Sequence, residues 1–169
     1  GAGIYRNVSL ETLNPVHIPE YGVYVSANLE QSKALVNAQT SVKNQEGKTV
    51  ECAVVSYVID SKGTKMTKSF TEKLTVKNNE IGKVSQNLSL KNPELWGLDS
   101  PNLYRLVSIV KKNGITTDST QTEFGVRTFN YDSEKGFSLN GKSMKVKGMC
   151  VHQDHAGVGT AVPDALVYY

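Results

Sequence analysis

The chain is poor in the residues that most often carry chemistry. Its 169 residues hold two cysteines, one tryptophan and three histidines, and arginine occurs only as Arg6, Arg105 and Arg127. No apolar run approaches the roughly 20 residues of a membrane-spanning helix, so no membrane partner is expected. Cys52 and Cys150 are too few to argue a disulfide framework. Both sit in strand-like apolar contexts and read as buried free thiols. No arginine cluster interleaved with aromatics marks a nucleic-acid interface. The densest basic stretch, with Lys62, Lys65, Lys68 and Lys73, reads as a solvated or edge strand. The net charge of +3 is spread along the chain, and no nucleic-acid partner is expected. Gly157-Val-Gly159 lacks the spacing and following lysine of a phosphate loop. No serine elbow and no Cys/His pair with a third partner appears, and no cofactor is expected.

What remains is strand after strand from residue 5 to residue 128. Val23, Val25 and Ala27 alternate on one face, as do Ala34, Val36, Ala38, Thr40 and Val42. Val50, Cys52, Val54 and Val58 form another such row, followed by Phe70, Leu74 and Val76. Val84, Leu88 and Leu90 come next, then Leu103 to Val110, and then Thr120, Thr122, Phe124 and Val126. A period of two with β-branched residues is the signature of half-buried strands. Asn44 to Gly47, Asp60 to Gly63, Asn78-Asn79 and Asn113-Gly114 supply residues that tolerate positive φ, and Asn113-Gly114 is the strongest hairpin signal. About seven short strands broken by turns predict an all-β fold, an immunoglobulin-like β-sandwich of two antiparallel sheets.

Two aromatic residues need placing. Trp96 lies in an irregular loop, Lys91 to Asn102, stiffened by Pro93 and Pro101. It reads as a plug for one end of the sandwich in preference to a surface that stacks on a sugar ring. Tyr104 reads as a corner tyrosine tying a loop to a strand, not as a catalytic phenol.

After Tyr131 the pattern changes. Phe137 to Met144 reads as a hairpin about Asn140-Gly141, and Lys145 to Val151 as a short strand ending in His152, Asp154 and His155. A Gly157-Val-Gly-Thr loop follows, and Pro163-Asp164 opens a helix. Hairpin, strand, polar loop and helix in that order begin a β/α unit. The chain stops partway through that helix, so it reads as a piece of a larger protein, with a sandwich over 1–131 and the truncated first β/α unit of a TIM barrel over 132–169. The carboxyl ends of barrel strands face the active site, which is where His152, Asp154 and His155 would stand. The same three residues suit a metal ion by type. No second cluster completes a coordination sphere, since the remaining histidine is His17 in the sandwich, and no metal site is expected. The tail is expected to pack on the sandwich or to pair with another chain, so a homo-oligomer is one expected assembly.

Four blocks resemble glycoside hydrolase family 2, and within it the β-galactosidase-like members. Gly3-Ile-Tyr-Arg-Asn-Val-Ser-Leu10 is similar to the family's exit from its sugar-binding jelly-roll domain. Leu95-Trp-Gly-Leu-Asp-Ser-Pro-Asn-Leu-Tyr104 is similar to the loop before the penultimate sandwich strand. Phe124-Gly-Val-Arg127 with Gly136-Phe-Ser-Leu-Asn-Gly-Lys142 resembles the junction into the catalytic barrel. Lys147-Gly-Met-Cys-Val-His-Gln-Asp-His155, with Gly157 to Pro163, resembles the first barrel strand and its loop.

The resemblance implies a retaining exo-glycosidase, a hydrolase of terminal β-galactosides or related glycans. Its two catalytic glutamates lie on later barrel strands, so this sequence is expected to hold no catalytic residue and to be inactive alone. His152 matches the histidine that family members set against the innermost sugar, which implies substrate binding, and Asp154 matches a supporting residue of the same loop. Gln153 stands where relatives often carry a second histidine. A periplasmic or extracellular bacterial setting is implied in the same way. The alternative is a free-standing immunoglobulin-like module binding carbohydrate or protein through Trp96 and Tyr57.

Overall fold

Alternating burial along each strand builds two facing sheets. A computed structural model of the chain describes residues 8–150 and 154–167. Strands β1 (Val16–His17), β2 (Val23–Glu30) and β3 (Lys33–Asn44) lead into β4 (Val50–Ile59) and β5 (Phe70–Val76). Strands β6 (Ile81–Lys91), β7 (Tyr104–Lys112) and β8 (Ile115–Phe124) complete the sandwich. In one sheet β3 pairs with β1 and β2 and with β6; the other runs β5-β4-β7-β8, and every pairing in both is antiparallel. The β3 pattern, with Ala34, Val36, Ala38, Thr40 and Val42 buried in turn, is the period-two reading realised in the structure.

The sheets enclose two apolar clusters. One gathers Val36, Ala38, Val58, Leu90, Leu106 and Phe124, among others. The second gathers Val16, Val42, Cys52, Val54, Val84 and Val110 with further aliphatic neighbours. Cys52 is a buried free thiol, and burial pushes its pKa up, as loss of water around a thiolate requires. Both open edges of the sandwich are bridged. The Ile18 amide donates to Asp118 Oδ2 on β8 at 2.7 Å, and Gln86 Nε2 on β6 donates to the Phe70 carbonyl on β5 at 3.3 Å.

The turns follow their chemistry. Asn113 and Gly114 both take positive φ, at 51° and 79°, between β7 and β8, the geometry that a two-residue hairpin on twisted strands demands. Beyond the sandwich, β9 (Phe129–Asp132), β10 (Gly136–Leu139) and β11 (Lys142–Ser143) form a small antiparallel sheet in the order β11-β10-β9. Its β9–β10 pairing matches Tyr131 with Phe137 and Phe129 with Leu139, so the ladder straddles position 131. Residues 13–144 form one compact unit; the described residues before 13 and after 144 belong to another.

Three expectations need correction. Phe70 shares the phase of Leu74 and Val76 but is 44% exposed, because β5 is an edge strand paired only with β4 and Phe70 lies at its far end. Cys150 is an exposed free thiol, not a buried one. Residues 145–150 adopt no strand. A strand needs a ladder partner for its backbone groups, and none pairs with this segment among the described residues. The predicted helix is one short turn, α1 (Asp164–Val167), in which the Leu166 amide donates to the Pro163 carbonyl at 2.9 Å.

Two aspartates organise turns by accepting backbone amides. Asp60 Oδ1 accepts from Thr64 at 2.7 Å and Lys62 at 2.9 Å, and Asp132 Oδ1 accepts from Lys135 at 2.8 Å and Glu134 at 2.9 Å. The Thr64 amide is the chief cause holding the Asp60 carboxyl below its usual range, and the Lys135 amide plays that part for Asp132. A carboxylate with a depressed folded pKa stabilises the fold above its unfolded value, about 3.9, and that contribution is lost as pH falls through the folded value. A carboxyl-carbon NMR titration should therefore place both midpoints below that of an unstructured aspartate; midpoints at or above it would contradict the bonding described.

Candidate functional site

The sequence places its candidate sugar-binding residues in one short segment, and the structure describes part of it. His152 lies outside the described residues, as does Gln153. Asp154 and His155 are exposed. His155 opens a tight loop in which its amide donates to the Gly159 carbonyl at 3.1 Å and the Gly159 amide returns a bond to the His155 carbonyl at 2.8 Å. Its ring Nδ1 lies 2.8 Å from the Ala156 carbonyl oxygen, so one ring nitrogen is engaged locally. No group of three or more His, Cys, Asp or Glu side chains that could hold a metal ion occurs among the described residues. The described residues of the segment offer exposed polar groups and form no acid/base or nucleophile pair among themselves.

The best-organised polar constellation lies where the sandwich meets the small sheet. Asn140, at φ 49°, occupies the first position of the Asn-Gly turn between β10 and β11. Its amide donates to the Thr128 carbonyl at 2.8 Å. Its Oδ1 accepts from the Thr128 amide at 3.0 Å, and its Nδ2 donates to the Trp96 carbonyl at 2.9 Å. The Trp96 amide in turn donates to the Val126 carbonyl at 2.8 Å. One asparagine thus joins the turn of the small sheet, the strand leaving the sandwich and the Trp96 loop.

Side-chain packing tightens the same junction. A Cβ on Gly125 would stand 2.9 Å from Trp96 Cβ and 3.0 Å from its Cγ, so only glycine admits this approach. The Arg127 guanidinium lies over the indole at 4.6 Å from the ring centroid, within cation–π range. Trp96 is half-buried, as the plug reading expects. Tyr104 is 4% exposed, its phenol oxygen accepts from the Glu94 amide at 2.8 Å, and its ring packs on Phe124 at 5.9 Å. It ties the loop to β7, as a corner tyrosine does.

The two aromatics that would anchor a sugar are both engaged. Arg127 covers one side of Trp96, and the Lys65 ammonium stands 4.5 Å from the Tyr57 ring centroid. Sequence reading missed the linking role of Asn140, which looked like a turn residue only. The available signal was Gly125, a glycine inside a strand pattern, which marks a close backbone approach.

With this geometry in view, comparison with known proteins assigns the family. Residues 16–127 match the family model for glycosyl hydrolases family 2. A β-galactosidase of Bacteroides ovatus is 35% identical over 163 residues, covering 96% of this chain and 19% of the relative. A β-glucuronidase of Formosa agariphila is 30% identical over 175 residues, covering 97% of this chain and 18% of the relative. Among solved structures, a β-glycosidase from Bacteroides vulgatus superposes with a TM-score of 0.79 at 33% identity, covering 100% of this chain and 21% of that one. A family member from Bacteroides cellulosilyticus gives 0.79 at 30% identity over 88% of this chain and 20% of that one. The chain belongs to glycosyl hydrolase family 2, and it spans about a fifth of the length of the relatives it matches.

The junction makes two variants informative. Gly125→Ala should destabilise the chain by about 1–3 kcal/mol through overpacking against Trp96. Asn140→Ala should cost about 1–2 kcal/mol through lost side-chain hydrogen bonds and a less favourable backbone conformation. Denaturant unfolding checks both, and midpoints unchanged from the parent chain would contradict this description of the junction.

Proposed function

We propose that this chain is the scaffold portion of a retaining exo-glycosidase that removes terminal β-linked sugars, of β-galactosidase type. The observation that carries the reading is similarity along nearly the whole chain to proteins named as β-galactosidase and β-glucuronidase. The strand order supports it too: three main strands, β2-β3-β6, facing β5-β4-β7-β8 is the arrangement expected of an immunoglobulin-like sandwich. In this proposal the segment from 132 onward begins the catalytic barrel, with the β9–β10 ladder bridging the two parts.

The chemistry sets what such a scaffold must do. Retaining hydrolysis needs two carboxyl groups about 5–5.5 Å apart, one as acid/base and one as nucleophile. In the family resemblance both are glutamates of later barrel strands, so the part played by this chain is positional. The Asn140 junction holds the sandwich to the small sheet, and the family resemblance assigns His152 and Asp154 to the substrate side of the barrel. His152 would donate to or accept from a sugar hydroxyl as positive charge develops at the anomeric carbon, with Asp154 supporting the loop. Engagement of Trp96 and Tyr57 by cations favours this spacer role over a free-standing carbohydrate-binding module.

Two measurements test the proposal. The isolated chain, incubated with chromogenic β-galactoside and β-glucuronide, should release nothing above blank; turnover scaling with its concentration would overturn the scaffold role. In a full-length enzyme carrying this segment, His152→Ala should lower kcat/KM by roughly 10²-fold, the scale of one lost transition-state hydrogen bond. An unchanged value would remove His152 from the substrate site.

A further inference from the structure

The two apolar clusters of the sandwich are divided by a layer of polar side chains. Thr40 on β3, Gln86 on β6, Ser56 on β4 and Ser108 on β7 are 0–1% exposed. Each stands where its strand passes from one cluster to the other. Along β3 the row reads Ala38, Thr40, Val42; along β6 it reads Leu88, Gln86, Val84. On the facing sheet, β4 reads Val58, Ser56, Val54 and β7 reads Leu106, Ser108, Val110. In all four rows the first residue belongs to one cluster and the last to the other.

Register brings the four side chains together. Ser56 and Ser108 are direct ladder partners. Thr40 pairs with Val84 and Ala38 with Gln86, which makes Thr40 and Gln86 diagonal neighbours on the inner face. Gln86 spans the gap between sheets. Its Nε2 donates to the Val54 carbonyl at 3.0 Å and the Phe70 carbonyl at 3.3 Å, and Phe70 is the ladder partner of Ser56 on β5. With both amide hydrogens directed at carbonyls, the orientation of the amide is set and Oε1 is left as a free acceptor.

Four atoms of this layer are buried without a hydrogen-bond partner among the described residues: Thr40 Oγ1, Ser56 Oγ, Gln86 Oε1 and Ser108 Oγ. Buried polar groups are nearly always paired, with protein or with ordered water. The contrast with Asn44 is direct. That side chain is also fully buried, yet it donates to the Lys48 and Val76 carbonyls at 2.7 and 2.8 Å and accepts from the Glu46 amide at 3.0 Å.

We propose that this layer is an internal hydration site, in which at least one ordered water molecule bridges Gln86 Oε1 to the surrounding hydroxyls. Water suits the donor set. It supplies two donors and two acceptors to one acceptor-only oxygen and three hydroxyls that serve as either, and buried waters characteristically make about three such bonds. The layer also fixes how the sheets slide. A two-residue slip keeps every side chain on its correct face, so the apolar pattern alone does not forbid it. Such a slip would press the hydrated residues into one apolar cluster or the other.

A high-resolution crystal structure of the chain tests the site directly. Solvent density within hydrogen-bond distance of Gln86 Oε1 and at least one of the three hydroxyls is the expected result. A dry layer, with the hydroxyls bonded to one another or to backbone, would overturn it. Water-oxygen relaxation dispersion in solution gives a second readout. The Ser56→Ala, Ser108→Ala double variant should lose at least one long-lived water relative to the parent chain, and an undiminished count would also overturn the site. If the double variant does not fold, the density in the parent chain decides alone.

Discussion

The bonds from Asn140 to Thr128 and Trp96 are the constraint that holds the small sheet to the sandwich. Without them the small sheet would hang from the sandwich by a single strand exit at Arg127 and Thr128. With them, three segments meet at one side chain: the Trp96 loop, the link between β8 and β9, and the β10–β11 turn. Each bond alone is worth about 1 kcal/mol in net terms. Their value lies in direction, because bonds at 2.8 to 3.0 Å from both main chain and side chain of one residue leave the turn little freedom to swing. The approach of Trp96 to Gly125 then packs the same joint.

The sandwich itself rests on a different balance. Its strands are held by antiparallel ladders, but the apolar inner faces supply the drive, at about 25 cal/mol per Å² of apolar surface removed from water. Two separate clusters share that role, one beside the Trp96 end and containing Tyr104 and Phe124, the other around Val42, Val54 and Val110. The polar layer between them gives up some apolar burial.

Much of this could be read from the sequence, and the limits have physical causes. Alternation along β3 and β4 identified the strands because a half-buried strand exposes every second residue. Asn113-Gly114 announced its hairpin because few other residue pairs tolerate two positive φ values, and Tyr104 was placed correctly because a buried phenol needs a partner. Phe70 was misplaced since alternation says nothing about whether a strand end lies under the facing sheet. Residues 145–150 carry a strand-like composition, but a strand is defined by pairing, which local sequence does not contain. The candidate site was read least completely. His152 rests on family resemblance, and Asn140 disclosed its role only once Trp96 and Thr128 were seen beside it.

The proposed scaffold role requires the sandwich and the small sheet to behave as one rigid body. Residual dipolar couplings of backbone amides in β7 and β10 measure their relative orientation directly. A single alignment tensor fitting both sets is the predicted result, and the Asn140→Ala variant should loosen that agreement. Two independent tensors in the parent chain would mean that the joint does not hold, and the proposed scaffold role would lose its rigid connection.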